Sequence, residues 1–191
     1  MSASVSRRPV VAVLGSGEAA WSSRAEPLGR WLAGRGVHLL TGGGAGVMEA
    51  VGRAFTRTPG RAGLAVGVLP ASASDPTRPP PGYPNRWVEL AVATHLPARG
   101  HRGAAPDSRN HLNVLSAHVV VALPGGDGTA SELALAVRYH RPAVAWLEDP
   151  AELPGRPEAV PVARDLDAVV DFVERALAAA AGAAPAGPSG A

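Results

Sequence analysis

Three times in this chain a short apolar run gives way to a glycine-bearing turn and then to residues at helical spacing. Val10–Leu14 leads into Gly15-Ser16-Gly17-Glu18, Val37–Thr41 into Gly42-Gly43-Gly44-Ala45-Gly46, and His118–Leu123 into Pro124-Gly125-Gly126-Asp127-Gly128-Thr129. Runs that stay apolar, rather than alternating with polar residues, belong to strands buried on both faces, and strands joined through helices build parallel sheets. The remaining pattern agrees. Further strands are expected at Leu64–Leu69 and Ala143–Leu147, with a short candidate at Trp87–Ala93. Helices are expected over Trp21–Arg35, from Val47 through Phe55, over Ser108–Ala117 and Thr129–Tyr139, and from near Asp165. Residues 70–86 hold six prolines and read as a loop, as do residues 94–107, which carry Arg99, His101 and Arg102.

The fold class that follows is α/β: a Rossmann-like, doubly wound, mostly parallel sheet with helices on both faces. Residues 9–182 are expected to form one domain, after a flexible N-terminus (1–8) and before a disordered small-residue tail (183–191).

Composition removes several kinds of chemistry. The 191 residues include no cysteine, which excludes disulfides, thiolate catalysis and cysteine-ligated zinc. All 18 basic residues are arginine, so a phosphate loop of the Walker type lacks its lysine and no Schiff base with pyridoxal phosphate can form. A net charge of +2 with no basic run argues against a nucleic-acid partner. No apolar stretch reaches the roughly 20 residues needed to span a bilayer, and the N-terminus lacks a secretory core. The expectation is a cytoplasmic protein with no membrane partner.

The three glycine turns carry the functional signal. Glycine allows close approach to a ligand, and a helix N-terminus offers free N–H groups and the positive end of the dipole, so phosphate is the natural guest. The alternative for any single turn is that glycine only makes the chain reversal. The dinucleotide fingerprint is incomplete, because Ala20 stands where its third glycine belongs. Glu132 follows Thr129 by the three residues of a capping box, so it either caps that helix or places a carboxylate over the phosphate turn. Arg109 opens the helix before the same strand and matters only if that helix end faces the glycine turns. Asp127 reads as a turn-former, and the six histidines show no metal-ligand spacing. His101 and His111 are retained as ligand contacts because they lie near Arg109.

Thr41-Gly-Gly-Gly-Ala-Gly-Val-Met48 and Leu123-Pro-Gly-Gly-Asp-Gly-Thr-Ala-Ser-Glu132 resemble the LOG family, often mislabelled as lysine decarboxylases. The resemblance covers about residues 9–150. It implies a homodimeric Rossmann-like hydrolase that releases the free base from nucleoside 5′-monophosphates, cytokinin ribotides included. It also implies that Arg109 and Glu132 are the catalytic pair. The ligand would lie on Pro124, Gly125, Gly126, Gly128 and Thr129, with Gly15, Ser16, Gly43, Gly44, Gly46, Met48 and Asn110 around it. No resident cofactor or metal is implied. The chain departs from the cytokinin-activating members in its shorter glycine loop, in Asn110 and Asn113, and in Ser131. In these respects it is similar to a sister branch containing molybdenum-cofactor carrier proteins. Those bind a pterin phosphate or nucleotide without turnover, so a non-catalytic carrier is the alternative to the phosphoribohydrolase. A DNA-processing relative of the DprA type would need a cationic face that this sequence lacks.

Overall fold

The computed structural model describes residues 7–182. Seven strands form one sheet: β1 (Val10–Leu14), β2 (His38–Thr41), β3 (Ala65–Leu69), β4 (Leu90–Ala93), β5 (Val119–Ala122), β6 (Ala143–Trp146) and β7 (Val162–Ala163). Their order is β4-β3-β2-β1-β5-β6-β7, and every pairing is parallel. The helices are α1 (Ser22–Ala33), α2 (Val47–Arg57), α3 (Asn110–Ser116), α4 (Asp127–Arg138) and α5 (Leu166–Gly182).

The apolar strands make sense as the middle of a sandwich. Val11, Val13, Leu39, Val119, Val121 and Val144 face one hydrophobic layer with α1, α2 and α5. Their neighbours Ala12, Leu14, Leu40, Val120, Ala122 and Ala145 face the opposite layer, with α3 and α4. Because successive side chains alternate sides, a strand with two buried faces must be apolar at every position. On the first layer α2 presents Val47, Ala50, Val51 and Phe55, while α1 presents Ala25, Leu28 and Leu32. Gly29 lets these two helices approach closely, since a Cβ there would lie 2.6 Å from the Val51 carbonyl oxygen.

The second layer is incomplete. The connections into and out of β4 (residues 70–89 and 94–109) contain no α-helix, so among the described residues that face of the β2–β4 half is only partly covered, with Leu40 and Val68 buried and its outer edge open. Leu64, Leu90 and Val92 are exposed there, together with Leu112 of α3. Leu90 is 48% exposed, which is unusual for a strand leucine beside a continuous core.

Several boundaries differ from expectation. α4 begins at Asp127, two residues before Thr129, and β4 is only the last part of the Trp87–Ala93 stretch. β7, a two-residue strand after Pro161, was not expected, because a segment so short shows no periodicity. Residues 1–6 and 183–191, within the expected flexible terminus and tail, lie outside the described residues. Arg8, expected to be part of the flexible terminus, donates to the Gly36 carbonyl at 3.3 Å.

Candidate functional site

The strand order turns back at β1, whose neighbours β2 and β5 lead to opposite halves of the sheet. Ligands of such sheets sit outside the carboxyl ends of the strands at that reversal. A cavity of about 420 Å³ lies there. Its floor is the Gly15–Glu18 turn after β1; one wall is the start of α4 with Gly126, Gly128, Thr129 and Glu132. Arg109 and Asn110 enter from the start of α3, and Met48 and Tyr83 close the side beyond β2.

No side chain caps α4. The amides of its first turn have no partners within the helix and leave an anion-sized set of donors at the cavity wall. Arg109 lies directly before α3 and is only 6% exposed, yet among the described residues its Nε and Nη1 groups are buried without a hydrogen-bond partner. Room for this guanidinium comes from Gly42, where a Cβ would sit 2.7 Å from the Arg109 Cζ. Glu132 Oε1 lies 3.8 Å from Arg109 Nη1, too far for a hydrogen bond. The same oxygen accepts a hydrogen bond of 2.8 Å from Asn113 Nδ2. Burial pushes the Glu132 carboxyl above the usual carboxylate range, while the Arg109 charge and the Asn113 amide pull it the other way.

These contacts correct the capping-box reading. Thr129 is the third residue of α4 rather than its cap, and the Glu132 carboxylate goes to Asn113. His111 is corrected as a ligand contact too. Its Nε2 donates to the Ala105 carbonyl at 3.0 Å and its Nδ1 accepts from the Tyr139 hydroxyl at 2.7 Å, so it pins the 94–107 loop to α4. His101 is exposed and does not line the cavity.

Of the residues singled out in the sequence, Gly15, Ser16, Met48, Arg109, Asn110, Gly126, Gly128, Thr129 and Glu132 meet around the cavity. The others stand behind it. The Pro124 carbonyl accepts from Ser16 N at 2.9 Å, and Gly125 N donates to the Glu152 carbonyl at 3.0 Å, so that amide is directed away from the cavity. Gly46 adopts φ +63°, a conformation that L residues rarely take, and its neighbour Val47 N donates to the Ser16 carbonyl at 2.9 Å. The Gly43 and Gly44 carbonyls accept from Asn85, at 2.8 Å from its backbone N and 2.6 Å from its Nδ2.

Sequence reasoning missed Tyr83, Arg99 and Gly100, which reach the cavity from the two loops flanking β4. Behind the α4 turn, Arg24 of α1 makes a two-pronged bond to Glu152, at 2.7 and 2.9 Å. That bond holds the Glu152 carboxyl below the usual range. Among the described residues, no group of three or more His, Asp or Glu side chains is placed to hold a metal ion. No helix there is long and apolar enough to cross a membrane.

Fold and cavity together define a Rossmann-like α/β protein with a pocket at its switch point. The chain belongs to the SLOG cluster 4 family, whose model matches residues 8–162. It is similar to the molybdenum cofactor binding protein of Rippkaea orientalis, with 27% identity and a TM-score of 0.68 over 90% of this chain and 98% of that one. It is also similar to the molybdenum cofactor carrier protein of Chlamydomonas reinhardtii, with 29% identity and a TM-score of 0.67 over 90% and 99%. DNA processing protein A from Helicobacter pylori, a single-stranded DNA binder, shares 18% identity with a TM-score of 0.63 over 87% and 80%, a likeness of fold alone.

Proposed function

We propose that this chain binds and carries a phosphorylated small molecule, in the manner of a molybdenum-cofactor carrier, without turning it over. The observation that carries the reading is Arg109: a buried guanidinium with two unpartnered N–H groups beside the uncapped start of α4. A buried cation left in this state is costly, and an anion entering the cavity removes the cost. The state of Glu132 favours carriage over hydrolysis. The Glu132 oxygen that faces Arg109 is also committed to Asn113 Nδ2, rather than left free for a ribosyl centre. The similarity to two cofactor-binding proteins of known structure supports the same choice.

One observation favours the second reading, a nucleoside 5′-monophosphate phosphoribohydrolase: Arg109 and Glu132 come within 3.8 Å of each other inside the cavity. A product screen separates the two. The purified protein is incubated with AMP, GMP, CMP, UMP and a cytokinin ribotide, and free base is sought by chromatography, with thermal-shift binding run in parallel. A carrier gives saturable stabilisation and no base. Base release that disappears in Glu132→Gln establishes the hydrolase and overturns the carrier.

The reading includes a cytoplasmic homodimer with no nucleic-acid partner. The uncovered apolar face of the β2–β4 half supports the dimer, since a second copy would bury the leucines that the chain leaves in water.

A further inference from the structure

The proline-rich segment before β4 has no place in the phosphate chemistry, yet it is fastened to the site with care. Asn85 grips the turn after β2 at two carbonyls, those of Gly43 and Gly44, and its own Oδ1 accepts from Trp87 N at 3.0 Å. The result is to hold the Tyr83 side chain over Gly44, where a Cβ would lie 2.8 Å from the Tyr83 hydroxyl and 2.9 Å from the Met48 Cε. Tyr83 and Met48 both line the cavity. The glycine at 44 therefore leaves room for the aromatic wall.

Distance along the sheet gives this wall its meaning. The phosphate-binding start of α4 follows β5, while the Tyr83–Met48 wall stands over the turn after β2. β1 lies between them, so the two ends of the cavity are two strand spacings apart, about 10 Å. Between them, Arg109 lies against Gly42 of the β2 turn and Glu132 enters from α4.

We infer that Tyr83 is a specificity-determining residue that stacks on a planar heteroaromatic ring at the far end of the ligand, opposite its phosphate. The inference rests on the carrier reading and narrows it to ligands that join a phosphate to such a ring through a short linker. Purine nucleotides and phosphorylated pterins share that chemistry. An aromatic side chain and a thioether give a polarisable surface that suits a flat ring and discriminates weakly among its substituents.

The test compares ligands with and without the ring. Binding of AMP, a phosphorylated pterin and ribose 5-phosphate is measured by calorimetry for the wild type, Tyr83→Phe, Tyr83→Leu and Arg109→Met. Tyr83→Phe retains affinity for both ring-bearing probes. Tyr83→Leu weakens them roughly tenfold or more and leaves ribose 5-phosphate unchanged. Which of the two ring probes binds more tightly identifies the source of the ring. A mere disturbance of the loop would lower all three probes together, and that result overturns the inference. So does equal affinity of the wild type for ribose 5-phosphate and both ring-bearing probes. If no probe binds the wild type, or if Arg109→Met leaves binding intact, the phosphate-carrier reading itself fails, and this inference with it.

Discussion

Replacing Arg109 by methionine should stabilise the empty protein at acid pH and destroy its ligand binding. Methionine keeps much of the side-chain volume and removes the guanidinium. Two buried N–H groups without partners are then no longer a burden, a gain of about 1–3 kcal/mol each. Against this stands the attraction to Glu132 at 3.8 Å, roughly 4 kcal/mol at an effective dielectric constant near 20. That attraction exists only while Glu132 is ionised. Its folded-state pKa is raised, so the folded protein binds more protons than the unfolded chain just above the ordinary carboxylate range. Stability therefore falls as pH rises through that window, and it falls further in the variant, where no cation restrains the shift. At the acid end of the range, where Glu132 is protonated, the variant should melt above the wild type, at about 2–4 °C per kcal/mol for a domain of this size. As pH rises and Glu132 ionises, the advantage should shrink and then vanish or reverse. Calorimetric melting across this range, for the wild type, Arg109→Met and Arg109→Met/Glu132→Gln, is the measurement. The double variant should keep its advantage at every pH. Titration with AMP should show a loss of roughly 2–5 kcal/mol in affinity for Arg109→Met. A wild type that melts higher at the acid end of the range, or a difference insensitive to pH, would refute the claim that Arg109 holds unpartnered donors awaiting an anion.

Other outcomes follow from the same geometry. Gly42→Ala places a Cβ against the Arg109 guanidinium and should cost about 1–3 kcal/mol of stability by overpacking, read by denaturant melts, along with weakened anion binding. Glu152→Gln removes a carboxyl held low by Arg24; stability present above the ordinary carboxylate pKa and lost as pH falls should shrink, flattening the acid limb of the melting curve. Val92→Glu, on the uncovered face, should shift the chain to monomers in analytical ultracentrifugation, whereas an unchanged sedimentation profile removes that face as the dimer contact.

The sandwich was legible because its strands are apolar at every position, and the switch-point wall because Gly126, Gly128, Thr129 and Glu132 sit in one short motif. Arg109 could be placed beside that wall only through family resemblance, since no local pattern shows where a helix start will face. The role of Glu132 misled: its spacing from Thr129 matches a capping box, but the helix starts two residues earlier and Asn113, nineteen positions before it in the chain, competes for the carboxylate. Tyr83 was invisible for a different reason. A proline-rich loop has no periodicity, and the bonds that place it run from Asn85 to two carbonyls forty-odd residues away. The uncovered face was hidden in the same way, because the lack of a helix on one side of β3 and β4 becomes apparent only once the strand order is known.

The strand that completes the pocket arrives late. Val11 pairs with Val119, and the neighbouring bond from Val10 N to His118 Nδ1 spans 108 residues. Strands β1 to β4 can assemble from the first half of the chain, but the cavity has no second wall until β5 returns to the opposite edge of β1. Closing so long a loop is the slow, entropically costly step in building such a sheet. The cavity thus depends on a pairing between the first strand and one more than a hundred residues later. A nascent chain released before β5 would carry two of the three glycine turns and lack the cavity wall formed by Gly126, Gly128, Thr129 and Glu132.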